Sequence, residues 1–173
     1  MDLLTDLPES EGYNAILVIV DHFSKMIRLI YTNKTMNSTA LICQCWDNVW
    51  KEFGVPHIII IISNRGPQFA SKFTKAHNET LGIQTLSTTT YHPQYNGQLE
   101  HMIQEVQKTL RPYVNHSQNN WSPKLSMAEF ALNNTTKSTT GHTPFQVVLG
   151  FNPNSGTIPP TIPSKNPHTR KVP

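Results

Sequence analysis

Residues 15–20, Ala-Ile-Leu-Val-Ile-Val, are apolar without a break. Side chains of a strand point alternately to its two sides, so such a run cannot keep one side wet. It suits a strand buried on both faces, and a sheet built around it needs cover on both sides. Met26 to Tyr31 reads as a second strand, with residues 21–25 as the turn between the two. Met1 to Leu4 reads as the end of a third, giving an early antiparallel meander. Ile58 to Ile62 is a run of five isoleucines, a further buried strand, and Ile83 to Leu86 is a brief one.

The helices follow from a different period. Asn37 or Ser38 is placed to cap a helix whose apolar residues, Leu41, Ile42, Cys45, Trp46, Val49, Trp50 and Phe53, recur at helical spacing. This predicts that Trp46, Val49 and Phe53 are buried. Gly54 and Pro56 end the helix. Ser71 to Leu81 forms a shorter helix closed by Gly82. Residues 87–97 read as a loop, and a long helix starts at Gln98 with Met102, Val106 and Leu110 on its inner face. Further helices are expected over Pro123 to Asn133 and Thr143 to Leu149. Strands first, then alternating helices and strands, give an α/β mixed sheet covered by helices. Residues 151–173 hold six of the thirteen prolines and no periodic apolar pattern. The expected division is a core over 1–150 and a Pro-rich, basic tail over 151–173.

Composition removes several classes. The 173 residues suffice for a core without disulfides or a structural metal. No apolar run is long enough to span a membrane, and the acidic start lacks the basic region of a signal peptide. Net charge is +3, and the excess comes from Lys165, Arg170 and Lys171. Any nucleic-acid face must therefore come from local clustering. Cys43 and Cys45, two positions apart, do not form a normal disulfide or a zinc site, and read as core or boundary residues. Phosphate-binding glycine loops and a nucleophile elbow are absent from the sequence.

Three residues lie where a strand or helix start delivers a side chain: Asp2 on the first strand, Asn64 after the isoleucine run, and Glu100 in the first turn of the long helix. Their surroundings are more telling. Ser63-Asn64-Arg65-Gly66-Pro67-Gln68-Phe69 and His92-Pro93-Gln94-Tyr95-Asn96-Gly97-Gln98-Leu99-Glu100 strongly resemble the integrase catalytic core of gypsy-type LTR retrotransposons and retroviruses. The family's first segment reads Ser-Asp-Arg-Gly-Pro-Gln-Phe. Between Asn64 and Glu100 lie 35 residues, the spacing for which the family's Asp–Asp–35–Glu triad is named. The resemblance continues through residues 2–8, 20–26, Asn120-Trp121, residues 128–134 and Thr140-Gly141-His142-Thr143-Pro144-Phe145.

The resemblance implies a ribonuclease-H-like fold, a mixed five-stranded sheet flanked by helices. It implies 3′-end processing and strand transfer by metal-dependent phosphoryl transfer, with Mg²⁺ or Mn²⁺ held by carboxylates. By position, Asp2, Asn64 and Glu100 are the catalytic set, and Asp2 and Glu100 the anionic metal ligands. Asn64 stands where the family has Asp, so the expectation is weak or absent metal and impaired chemistry. His101 replaces the usual Arg, and the chain starts within the first strand. The whole is expected to be a fragment or decayed copy. Arg65, Tyr95, Gln104, Gln107, Lys108 and Arg111 are the expected nucleic-acid contacts. Expected partners are element-end and target DNA and further copies of the chain, with no membrane. The place of action is intracellular, in the nucleus for chromosomal DNA. Two alternatives stand beside this: a non-catalytic DNA-binding or oligomerising protein derived from an integrase, and a decayed fragment without function.

Overall fold

A computed structural model describes residues 1–61, 69, 71–87, 93–154 and 156. Strand β1 (Asp2–Leu4) pairs antiparallel with β2 (Ala15–Val20), and β2 with β3 (Ile27–Thr32). The β1–β2 connection closes on Ser10 and Tyr13, whose backbone groups bond each other at 2.8 and 3.0 Å. Between them Glu11 and Gly12 both have positive φ, 51° and 85°, the primed turn geometry that follows strand twist. The expected meander is present.

The apolar run 15–20 serves two cores at once. Ala15 and Leu17 join Leu3, Ile30, Leu41, Ile42, Cys45 and Trp50 on one side. Ile16 and Val18 join Leu4, Ile27, Leu29, Met102, Val106 and Leu125 on the other. The period of two explains the lack of polar residues: neither face of β2 is wet.

Helix α1 (Ser38–Cys45) is capped by Asn37, whose Oδ1 accepts from Ala40 N at 2.8 Å. It runs into a π-helical stretch, Trp46–Trp50, and a last turn, α2 (Lys51–Phe53). Here the sequence expectation needs correction. Trp46 and Phe53 are 40% and 49% exposed and Val49 is half-buried, while Trp50 is buried. A π-turn holds an extra residue, so the inward position after Cys45 passes from 49 to 50. The expected face is right up to Cys45 and out of phase beyond it.

Strand β4 (Ile58–Ile61) pairs in parallel with β5 (Gln84–Ser87), joined through α3 (Lys72–Thr80), which Ser71 caps. The described strands thus form a three-stranded and a two-stranded sheet, where a single five-stranded sheet was expected. The backbone nitrogen of Met1 donates to Ile60 O at 2.6 Å, which sets the start of β1 beside β4. With β1 only three residues long, the described residues form no longer ladder there.

Helix α4 (Pro93–Leu110) begins five residues earlier than expected, with Pro at its first position, where a missing N–H costs nothing. Met102, Val106 and Leu110 are buried, as expected. A short 3-10 turn, Ser122–Lys124, leads into α5 (Leu125–Asn133). The last helix, α6 (Pro144–Leu149), carries a capping box between Thr143 and Gln146. Among the described residues no helix is long and apolar enough to cross a membrane. The tail expectation for 151–173 falls mostly outside the described residues.

Candidate catalytic cleft

Asp2 is the first residue of β1 and only 8% exposed. It shares a strand face with Leu4, the face covered by α4 and α5, and pairs in register with buried Val18. Its Oδ1 accepts from Leu3 N at 2.8 Å. A buried carboxylate at a strand start needs polar company, and this backbone bond supplies part of it.

Glu100 belongs to α4, two positions before buried Met102. Because α4 begins at Pro93, Glu100 sits in its second turn, which corrects the expected first-turn position. Its side chain lies outside the described residues, as does that of Tyr95. Asn64 and Arg65 also lie outside the described residues; β4 is described to Ile61, three positions before Asn64. Among the described residues, no group of three His, Cys, Asp or Glu side chains is placed to hold a metal ion.

What is described around these positions is a cleft of about 1350 Å³. Met1, next to Asp2, lines it. So do Ile58 and Ile60 of β4, the strand that leads to Asn64, and His101, next to Glu100. The turn after β2, including Asp21 and Lys25, and residues 136–139 form further walls. Along α4 and its extension, Gln104, Gln107, Lys108 and Arg111 are all exposed. Three of them fall within one helical strip at spacings of three and four, 104–107–111, with Lys108 beside it. Amides and cations on one solvent-facing strip can donate to phosphate oxygens.

Two polar arrangements have no local sequence signal. The Asn133 amide accepts from Ile27 N at 2.8 Å and donates to Ile27 O at 2.9 Å. Glu129 accepts from Leu29 N at 2.7 Å and from Arg28 Nη1 at 3.0 Å, and Arg28 also pairs with Glu52. Residues 128–134 carry part of the family resemblance, and here two of them cover the outer edge of β3. The second arrangement joins α4 to the α5–α6 connection: Lys137 Nζ lies 2.6 Å from Glu105 Oε2, and Glu105 Oε1 lies 3.5 Å from His101 Nδ1.

Residues 1–93 match the integrase core domain family. Over 153 residues, 88% of the chain, the sequence is 34% identical to the Transposon Tf2-3 and Tf2-4 polyproteins of Schizosaccharomyces pombe, of whose length it spans 11%. The backbone resembles the HTLV-2 integrase catalytic core domain solved in complex with magnesium: TM-score 0.62, 18% identity, 84% of this chain and 94% of that one. The BIV integrase catalytic core domain gives 0.60 at 20% identity, covering 86% and 93%. The integrase in the simian T-cell lymphotropic virus intasome with PP2A regulatory subunit B56 gamma gives 0.66 at 20%, covering 94% and 58%.

Proposed function

The chain belongs to the integrase core domain family of retroviruses and LTR retrotransposons, and from that premise we propose that it is the catalytic core of a retroelement integrase whose own chemistry is impaired at position 64. The observation that carries the reading is the cleft, whose walls include the immediate neighbours of Asp2 and Glu100 and the strand that leads to Asn64. In this reading the five strands form one ribonuclease-H-like sheet, with β1 between β2 and β4, and the Met1–Ile60 bond supports that order. Residues 1–150 are the core and 151–173 a tail.

The donor set fits a hard divalent cation in type, since Asp2, Asn64 and Glu100 all offer oxygen. It falls short in charge, with two carboxylates and one neutral amide. Asp2 and Glu100 would hold Mg²⁺ or Mn²⁺, which when bound supplies Lewis-acid stabilisation of the oxygens exchanged in phosphoryl transfer. The chain's own part is positioning. The buried strand start holds Asp2, and the packed Met102–Val106–Leu110 face holds the helix that carries Glu100. Arg65, Tyr95, Gln104, Gln107, Lys108 and Arg111 are the contacts to DNA in this reading, and their cations make binding salt-dependent. Element ends and target DNA are the partners, met in the nucleus by an assembly of several copies. The integrase of an intasome and the trimeric and dimeric forms of the HTLV-2 integrase core domain support assembly by analogy.

The test is Asn64→Asp, which restores the third carboxylate at almost constant volume. Mn²⁺ should bind tighter in the variant, and nicking or strand transfer of pre-processed DNA ends should rise. Equal Mn²⁺ affinity in both chains would overturn the impairment. Salt-sensitive DNA binding with no turnover in either chain would favour the non-catalytic binding protein.

A further inference from the structure

We propose that Lys137 is a positioning residue: through Glu105 it fixes the turn of α4 that follows Glu100, and so sets the seating of the helix segment that carries that residue. The inference rests on the site reading above.

Lys137 is 8% exposed, and its ammonium lies 2.6 Å from Glu105 Oε2. An ammonium taken out of water is costly unless it is paired, so the loop and the helix are held together rather than merely adjacent. The anchor is stiff. The Lys137 N–H donates to His142 O at 3.0 Å, and its carbonyl accepts from Gly141 N at 2.8 Å and Thr140 N at 3.2 Å. The loop then enters α6 directly through the capping box of Thr143.

The helix end of the pair is equally specific. Met102 and Val106 seat α4 by apolar contact, which is non-directional and leaves rotation and sliding soft. Glu105 lies between them in sequence, its Oε2 held by Lys137 and its Oε1 3.5 Å from His101 Nδ1 one turn back. Glu105 lies five helical steps beyond Glu100, about 7.5 Å of rise, short enough for a helix to pass on rotation as a rigid rod. His101, Glu105 and Lys137 also line the cleft, so the pair forms part of its wall.

The experiment compares the full chain with Lys137→Met, Lys137→Arg and Glu105→Gln by amide hydrogen exchange, and measures Mn²⁺ affinity for the same changes in the Asn64→Asp chain. The expected result is exchange about tenfold faster over residues 98–104 in Lys137→Met and Glu105→Gln, with 106–110 and β2 unchanged. Mn²⁺ affinity should fall several-fold in parallel, and Lys137→Arg should keep both. Glu105→Gln carries the same test if Lys137→Met does not fold. Unchanged exchange over 98–104, acceleration spread evenly over the chain, or a loosened segment with full Mn²⁺ affinity would each overturn the proposal. If the Asn64→Asp chain takes up no Mn²⁺ at all, the site reading fails, and exchange alone decides whether Lys137 holds the helix.

Discussion

The side-chain amide of Asn133 bonds both backbone groups of Ile27, 106 residues away, as a neighbouring strand would. β3 is the outer strand of its sheet, and an open edge is a hazard for unwanted pairing. Glu129 repeats the device two residues along, on Leu29 N. Helix α5 therefore does two jobs, filling the core with Leu125, Ala128 and Leu132 and closing the edge with Glu129 and Asn133.

Asn133→Ala leaves a buried N–H and a buried carbonyl without these partners. The expected loss of stability is about 2–3 kcal/mol, from the cost of unmade buried hydrogen bonds. Urea unfolding should show a lower midpoint at an unchanged slope. A loss below half a kcal/mol would mean that water or a shifted loop replaces the amide.

The π-helical stretch separates two tryptophans that sequence spacing treats alike. Trp50 is buried, its ring edge-on to Trp46 at 5.3 Å and to His77 at 6.2 Å. Trp50→Ala should cost about 3–5 kcal/mol, and Trp46→Ala well under half of that. Equal losses in thermal unfolding would show that Trp46 is seated as deeply as Trp50.

Cys43 is exposed, and Cys45 is buried with its thiol pushed by burial from 9.0 up to about 12. Iodoacetamide at mildly alkaline pH should label Cys43 in the folded chain and reach Cys45 only on unfolding, as read by mass spectrometry. Since the folded state keeps this proton longer than the unfolded chain, Cys45 stabilises fully below about pH 9. Its contribution is lost as pH rises toward 12. Cys45→Ala should flatten that alkaline decline.

Legibility in the sequence followed the range of the forces involved. The β2 run, the Asn37 cap and the Met102–Val106–Leu110 stripe are written within a few residues, and all appear in the fold. The Trp46–Trp50 stretch was not legible, because the same apolar residues satisfy an α and a π phase over so short a span. Pro93 was hidden because Pro, Asn and Gly around it resemble a loop, while Pro also suits a first helical position. At the candidate site, Asp2 could be placed on its strand and Glu100 on its helix, with an error of one turn. Lys137–Glu105 and Asn133–Ile27 join residues 32 and 106 positions apart, so no local pattern announces either. Asn133 lies in a segment that carries family resemblance, but nothing in that segment points to Ile27.

β2 divides its side chains between two helical layers, Ala15 and Leu17 to one and Ile16 and Val18 to the other. A slip of one residue in its pairing would send every one of them to the wrong layer. Neither layer can therefore be assembled correctly while the other is wrong, and the strand acts as a common clock for both. The meander and the helices on its two sides should melt as one cooperative unit, with near-ultraviolet and far-ultraviolet signals falling together.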